Sequence, residues 1–317
     1  MPFHSAHQYF HDLDELYEKI SGLDIRLIPL KKGGIIHRIN LFSSENVIIQ
    51  NLTIGQSAHH VGASPKDRVT FGLPSKEKIN IDLNGNLIND SLIIFSQGGE
   101  FSSVSPEGYS PITVSIERSW LQQFAIYHEI PLDIDTIDSN IVVIPIPSQI
   151  KTQLKRVFMC IASEKYELKA REYLMQYELP LLLLQLTYLQ DKINIKNATK
   201  KTNTLEKAFN FIQLNSKYSI SIKEICEASC IQERSLERGF KEYFGISPNN
   251  YLRLYRLQQA KIQIRKSHGM VNVSDIALNC GFAHLGRFSN YYGDFFNELP
   301  SETVYKSRVS QPTGKLS

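Results

Sequence analysis

The chain has 317 residues, enough for two folded domains, and its 42% hydrophobic and 21% charged content is typical of a soluble globular protein. Its net charge of +3 is unevenly distributed: residues 1–191 contain 16 Lys and Arg against 22 Asp and Glu, whereas residues 192–317 contain 19 against 10. A basic C-terminal part beside an acidic N-terminal part suggests a polyanion partner for the C-terminal part alone.

The cysteines and the N-terminus argue against secretion and membrane insertion. The four cysteines show no spacing typical of a disulfide framework, which fits a reducing cytosol. Cys226 and Cys230 are interpreted as thiols on one helix face, because no second Cys or His pair stands at zinc-ligand spacing. The N-terminus lacks the features of a signal peptide, and the longest apolar stretch, 179–189, is too short to cross a bilayer. We expect a cytoplasmic protein without membrane contact.

Residues 24–116 have the pattern of a β-structure. Short apolar or alternating runs are separated by turn residues, and they predict strands at 25–29, 47–52, 69–73, 79–83, 92–95 and 112–116. Asn84-Gly85 after an alternating run predicts a tight hairpin. Many short antiparallel strands at this spacing favour a barrel or a sandwich.

From residue 148 onward the pattern is helical. Helices are predicted at 148–164 and 167–191, with a kink at Pro180. The predicted fold class is therefore α+β, with a β-barrel or cupin-like sensor domain that ends in two helices, followed by an all-α domain. The expected boundaries are 1–192 for an effector-binding and dimerisation domain, 193–203 for a basic linker, 204–309 for the helical domain and 310–317 for a disordered tail.

The helical part contains an internal repeat. Residues 222–225 align with 273–276 at an offset of 51 positions, and after one extra residue the offset becomes 52. The second offset pairs Leu236 with Phe288, Phe240 with Tyr292, Phe244 with Phe296 and Pro248 with Pro300. Two copies are too few for a solenoid, and they predict two similar three-helix units.

Each copy contains the parts of a helix-turn-helix. Ser221 with Glu224 is expected to form a capping box. In the second copy, Asn272 is expected to cap the helix in the same way, with Asp275 in its first turn. One apolar stripe is expected per first helix, formed by Ile222, Ile225 and Ala228 in the first copy and by Val273, Ile276 and Ala277 in the second. Positive φ is expected at the Gly281 turn and at the helix ends Gly245 and Asn297, and Ser247-Pro248 is expected to open the helix that joins the copies.

The second helix of each copy is the one that would enter the major groove of double-stranded DNA. The residues expected to face DNA are Arg234, Ser235, Glu237, Arg238 and Lys241 in the first copy and His284, Arg287 and Asn290 in the second. Arginines can read guanine, Asn can read adenine, and Lys241 suits a phosphate. Since glycines occupy positions 286 and 293, we expect less base discrimination from the second copy.

Residues 204–308 closely resemble the AraC/XylS family of bacterial transcription regulators. The resemblance is carried by 235–241, 245–248 and 256–261 in the first copy and by 273–277, 281–282 and 299–302 in the second. It implies seven helices, a rigid linking helix after Pro248, and two recognition helices on the same side of DNA. Asn290, Gly293 and Asn297 depart from the family pattern in the second copy.

Residues 284–288 and 298–303 resemble a subgroup that regulates aromatic-acid and ethanolamine catabolism, and 71–74 with 106–109 are more loosely similar to its sensor domains. This implies an effector-responsive activator with RNA polymerase as a partner, but it does not identify the effector. Because the stretch 179–189 is more apolar than packing on a barrel requires, we expect part of it to form a homodimer interface.

Two alternatives stay open. One is a regulator without a small ligand, controlled by a protein partner or by abundance. The other is a cupin-type enzyme fused to a DNA-binding domain, for which the histidines provide little support. His59 and His60 are adjacent, so they would point to opposite faces of a strand, and His4, His7 and His11 have helical spacing in an exposed segment. We therefore expect solvated histidines, no metal, no cofactor and no enzymatic activity.

Overall fold

The computed structural model describes residues 3–11, 13–32, 36–74, 81–88, 91–131, 141–190, 196–197, 204–218 and 220–309. The chain divides into two compact units. Residues 1–27, 36–55 and 60–201 form the N-terminal unit, and residues 28–35, 56–59 and 202–317 form the C-terminal unit. The expected tail at 310–317 and most of the expected linker lie outside the described residues.

The N-terminal part is dominated by β-strands. Among the described residues the strands are β1 His4–Phe10, β2 Asp24–Pro29, β3 His37–Ser43, β4 Val47–Thr53, β5 Ala58–Ala63, β6 Arg68–Pro74, β7 Ile81–Leu83, β8 Asn86–Ile88, β9 Ser91–Phe95, β10 Glu100–Ser105, β11 Pro111–Glu117, β12 Ile141–Pro145 and β13 Lys196–Asn197. These described strands form an eight-stranded sheet, β1-β3-β4-β11-β6-β9-β12-β13, and a five-stranded sheet, β2-β5-β10-β7-β8. The fold is sheet-rich here, as predicted.

The six predicted strands are present as β2, β4, β6, β7, β9 and β11, although residues 79–80 of the fourth lie outside the described residues. The predicted hairpin is also confirmed: Asn84 (φ 53°) and Gly85 (φ 76°) connect β7 to β8 in left-handed conformations. The other strands were missed. In β10, for example, Ser102, Ser103 and Ser105 are buried, so the strand does not alternate between apolar and polar residues.

The histidines of strands β1 and β5 do not follow the sequence interpretation. His4 and His7 lie in β1 rather than in a helical segment, and His7 Nδ1 is 2.9 Å from Asn40 Oδ1. His59 and His60 lie in β5 and are buried, with 0% and 6% of their surfaces exposed, so the expectation of solvated side chains at these two positions is wrong. Among the described residues, no group of three or more potential ligands is placed to hold a metal ion.

Helices cover one core of the N-terminal unit. They are α1 Leu13–Tyr17, α2 Arg118–Tyr127, α3 Ser148–Ala162, α4 Leu168–Tyr173 and α5 Leu179–Gln190, with a π-helical segment at Leu174–Glu178. The π-helical segment directly precedes Pro180, where a kink was predicted. Proline has no N–H to donate and its ring collides with the carbonyl four residues earlier, which explains the departure from regular α-helix.

Four leucines of helix α5 are buried within the chain itself. Leu179, Leu183, Leu184 and Leu186 are at most 2% exposed and belong to the same core as the eight-stranded sheet, while Leu182 packs against it. The expectation that α5 has apolar side chains to spare for a second chain is therefore corrected at Leu186. A sheet and the adjacent helices surround α5 on several sides, as a helix with little polar surface requires.

The C-terminal unit is helical. Its described helices are α6 Thr204–Asn215, α7 Ile222–Ser229, α8 Glu233–Phe244, α9 Pro248–Lys266, α10 Val273–Asn279, α11 Leu285–Phe296 and α12 Pro300–Val309. These match the seven helices that the resemblance implies. Among the described residues, no helix is both long and apolar enough to cross a bilayer.

A charged network ties three helices of this unit together. The half-buried Glu298 lies 3.3 Å from the ammonium of the buried Lys261 and accepts hydrogen bonds from Lys306 and from the Thr303 hydroxyl. The Thr303 hydroxyl is also 2.8 Å from the Tyr292 hydroxyl. Burial alone would raise the pKa of Glu298, but the Lys306 hydrogen bond and the Lys261 charge outweigh it, so the pKa is lowered. The ionised carboxylate is therefore part of the folded state.

We expect Glu298→Gln to lower the free energy of unfolding by about 2 kcal/mol at neutral pH, because it leaves Lys261 buried without its counter-charge. Since the pKa is lower in the folded than in the unfolded protein, this contribution is present above the ordinary carboxyl pKa and is lost as the pH falls through the folded value. Urea unfolding of both proteins across the acid range measures the difference. Substitution of the exposed Glu242 by Gln is the control. If the difference in unfolding free energy between the wild-type chain and Glu298→Gln did not decrease on acidification, the stabilising role of the Glu298 carboxylate would be contradicted.

Candidate nucleic-acid interface

The first helix of the first motif, α7, is fixed by its N-cap. The backbone N–H of Ser221 donates to a carboxylate oxygen of Glu224 at 2.7 Å, and the N–H of Glu224 donates to the Ser221 hydroxyl at 3.2 Å. This is the predicted capping box, and its hydrogen bonds from Ser221 lower the pKa of Glu224. In the second motif, Asn272 accepts from the N–H of Ser274 at 3.0 Å, so it caps α10 through a shorter turn.

The buried stripe of α7 differs by one position from the prediction. Ile225 is buried, but Ala228 is exposed and Ser229 takes the inward position. The hydroxyl of Ser229 donates to the carbonyl of Ile225 within the same helix, which satisfies its polar group. A serine can therefore occupy a place that hydrophobic periodicity assigns to an apolar residue.

The turn of each motif places one residue in the left-handed region. Gly281 has φ 83°, as predicted, and the equivalent residue of the first motif, Cys230, has φ 54°. A side chain at Gly281 would also be crowded, because its Cβ would lie 2.8 Å from the carbonyl oxygen of Ser216 and 2.9 Å from Nε of Arg256. Only glycine satisfies both conditions at position 281, whereas Cys230 adopts the conformation with a side chain.

One face of α8 is buried by aromatic packing. Leu236 and Phe240 are fully buried and Phe244 is 6% exposed. The Phe240 ring centroid lies 5.5 Å from that of Tyr251 in α9. Gly239 allows α6 to approach, because a Cβ there would lie 2.6 Å from a methyl group of Leu205. These contacts fix the rotation of α8 about its own axis.

The opposite face of α8 carries exposed cations. Arg234, Arg238 and Lys241 are exposed, while Ser235 and Glu237 are half-buried beside them. Their spacing of four and three residues places the three cations in one row along the helix. All five predicted residues of the first motif therefore lie on or beside one polar face.

In the second motif, α11 buries Phe288 and Tyr292, and Phe295 is more deeply buried than the predicted Phe296. Arg287 and Asn290 are exposed, and the exposed His284 directly precedes the helix. The exposed face also includes Asp294, which adds a negative charge. In charge and number of hydrogen-bond donors, this face is weaker than that of α8.

Sequence reasoning gave no role to two arginines of the linking helix α9. The Arg256 guanidinium donates to the carbonyl of Ser216 at 2.9 Å and to that of Tyr218 at 2.6 Å, which fixes the end of α6. Arg253 stacks over the Tyr291 ring of α11, with 4.6 Å from its guanidinium carbon to the ring centroid. No local sequence pattern reveals these contacts. The partners of Arg256 lie 38 and 40 residues away in the chain, and the partner of Arg253 lies on another helix.

Comparisons with known proteins agree with this geometry. A family model described as a helix-turn-helix domain matches residues 225–305. An activator of the XylDLEGF operon from Pseudomonas putida is 35% identical over 107 residues, which cover 33% of either chain. A second activator of that operon, also from Pseudomonas putida, is 32% identical over 117 residues, which cover 37% of this chain and 74% of that protein. The structure of a probable AraC family transcriptional regulator from Rhodopseudomonas palustris has 32% identity, a TM-score of 0.31, and covers 33% of this chain and 98% of the other.

Two helix-turn-helix motifs joined by one helix, each with an exposed polar second helix, define a tandem helix-turn-helix protein of the DNA-binding type. The chain belongs to the AraC/XylS family of transcription regulators. The chain spans only about a third of the length of the first of these activators.

The left-handed turns give a test of local strain. We expect Cys230→Gly to raise the free energy of unfolding by about 0.5 kcal/mol, because relief of the left-handed strain slightly exceeds the entropy cost of glycine. We expect Gly281→Ala to lower it by at least about 2 kcal/mol, since strain and crowding add.

Urea unfolding of the full chain measures both changes. Gly286→Ala in α11 is the control, because a Cβ there meets open space and should stabilise the helix slightly. Equal effects of alanine at 281 and 286 would show that the turn is not constrained as described.

Proposed function

We propose that this chain is a sequence-specific transcription activator that binds two consecutive major-groove segments of double-stranded DNA, one with each motif. The observation that carries this proposal is the row of exposed cations on α8, opposite the buried stripe of Leu236, Phe240 and Phe244. A helix held in this way can present arginines to guanine edges and a lysine to a phosphate. RNA polymerase is the partner that an activator requires.

We propose that the first motif provides most of the base recognition and that the second motif mainly adds affinity. Arg234 and Arg238 would read bases, and Lys241 would position α8 on the backbone. In the second motif, Arg287 would add affinity and Asn290 a weaker base preference, with His284 at the helix start. A lower density of donors on α11, together with the negative Asp294, supports this division.

We further propose that residues 1–192 respond to a small-molecule effector, with a linker at 193–203 and DNA binding by 204–309. An internal cavity of about 60 Å³ in the N-terminal unit supports a ligand-binding role for that unit. An effector controls transcription only if it binds the active and inactive arrangements of the protein with unequal affinity.

The first prediction concerns base reading. A binding site is first selected from randomised DNA with the full chain. Arg238→Ala should then weaken binding to that site by about 1–3 kcal/mol and relax the preference at one base pair, because a bidentate contact is lost. Lys241→Ala should weaken all sequences alike and lower the salt slope by about one. Fluorescence anisotropy over a salt series measures both.

Two comparisons make the result specific. Arg156→Ala removes an exposed cation of the N-terminal unit and should change little. Arg287→Ala should reduce affinity with little change in base preference. An equal loss on selected and random DNA for Arg238→Ala would falsify its role as a base reader.

The proposal includes a homodimer, which would place two DNA-binding regions on paired sites. Since Leu179, Leu183, Leu184 and Leu186 of α5 are buried, we place the contact on neighbouring helices. Met159 of α3 is 71% exposed, Leu168 of α4 is 55% exposed, and Tyr173 of α4 is 53% exposed and stacks on Tyr177 with ring centroids 5.3 Å apart. Large exposed apolar side chains on one helical layer fit a chain-to-chain contact.

We expect Met159→Glu with Tyr173→Glu to weaken self-association at least about tenfold, because charges would enter an apolar contact. Sedimentation at several concentrations measures the change, and Leu87→Glu on β8, where the leucine is 69% exposed, is the control. A wild-type chain that is monomeric at tens of micromolar, both free and on DNA, would remove the homodimer from the proposal.

A further inference from the structure

The cavity of the N-terminal unit is lined almost entirely by apolar side chains. They come from both sheets and from the segment before β2, and include Leu23, Ile25, Leu52, Ile93 and Phe101. Its volume is about 60 Å³. That is several times the 10–15 Å³ or so that one water needs and well below the roughly 150 Å³ of a cavity that binds benzene. The space suits a compact molecule of a few heavy atoms.

Four of the lining residues have polar side chains: His60, Ser103, Tyr109 and Thr113. The Nε2 atom of His60 is 2.7 Å from the Ser105 hydroxyl, which fixes the imidazole. The His60 and Tyr109 rings meet edge to face with centroids 6.1 Å apart, so the two side chains are neighbours in the lining. Within the described part of the chain, neither His60 Nδ1 nor the Tyr109 hydroxyl forms a hydrogen bond.

These two groups are uncharged at neutral pH. Burial lowers the pKa of His60 to about 4, and burial raises the pKa of Tyr109. A neutral imidazole offers one donor and one acceptor nitrogen, and a phenol can donate or accept. Among the described residues that line the cavity there is no Lys, Arg, Asp or Glu. A ligand carboxylate or ammonium would therefore lose its hydration and gain no counter-charge.

We infer that the cavity binds a small, uncharged, mainly aliphatic molecule with one amide, carbonyl or hydroxyl group, held by His60 Nδ1 and the Tyr109 hydroxyl. The inference rests on the proposed effector-responsive function and names the chemical class of the effector. It excludes carboxylates as ligands of this cavity, because the lining stabilises apolar surface and a neutral polar group but no charge.

The test uses two probes of equal size and different charge. Acetamide and acetate share one carbon skeleton and have the same number of heavy atoms, but only acetate is charged at neutral pH. Thermal unfolding of the full chain is followed with each probe up to tens of millimolar. We expect acetamide to raise the Tm in a concentration-dependent way and acetate to bind at least about tenfold more weakly. Equal or tighter binding of acetate, or no shift with acetamide, would overturn the inference.

A matched pair of variants locates the binding. Tyr109→Phe removes one hydroxyl from the cavity lining and should weaken the binding of acetamide about fivefold, as expected for one lost hydrogen bond. Tyr127→Phe removes a hydroxyl from a tyrosine that is 82% exposed on α2 and should leave the affinity unchanged. An unchanged affinity in Tyr109→Phe would also overturn the inference. Because the comparison of the two probes uses the unmodified chain, it stays decisive even if Tyr109→Phe fails to fold.

DNA binding measured on the same samples separates this inference from the proposed function. If acetamide binds and DNA affinity is unaffected, the ligand class stands and the control of transcription by this cavity fails. If acetate binds and alters DNA affinity, effector control stands and the ligand class fails. If the chain binds no DNA although acetamide binds, the proposed function fails and the cavity assignment stands.

Discussion

The burial of one aromatic stripe on each second helix is the constraint on which the rest of the interface depends. Phe240 of α8 and Phe288 with Tyr292 of α11 have at most 1% of their surface exposed. A helix repeats every 3.6 residues, so fixing the inward stripe also fixes which residues face solvent. Truncating one such ring costs about 3–5 kcal/mol, which is far more than a surface charge contributes. Packing therefore fixes the orientation of the polar face. The residue types on that face can vary, because they contribute little to the packing.

That freedom explains why two motifs of the same construction differ so much in charge. The α8 face carries a row of three exposed cations, whereas α11 carries Arg287 with Asp294 nearby. The second motif has instead a strong internal network around Glu298, which connects α9 with the α11–α12 region. Electrostatic attraction to phosphates depends on exposed cations, while the geometry of a helix depends on its buried contacts. The two motifs thus share the same helix packing but differ in the number of exposed cations on the second helix.

The N-terminal unit follows a different physical rule. It buries serines and His60 inside a β-structure, and burial lowers the pKa of His60, so this side chain is uncharged at neutral pH. A neutral polar group is compatible with an apolar cavity. Near His60 and Tyr109 the lining offers hydrogen bonds without charge. One chain thus combines a surface adapted to a polyanion with an interior adapted to a neutral molecule.

The sequence alone determined the C-terminal motifs in detail, because their signals are local. Helix caps, the turn at Gly281 and aromatic spacing involve residues a few positions apart, and each has a direct backbone consequence. Only the tertiary structure decided the role of α5, the burial of His59 and His60, and the partners of Arg253 and Arg256. These depend on residues far apart in the chain, and strands with buried serines, such as β10, carry no periodic pattern that reveals them. Helix caps and turns are determined by neighbouring residues, whereas the burial of a side chain depends on which distant elements pack against it.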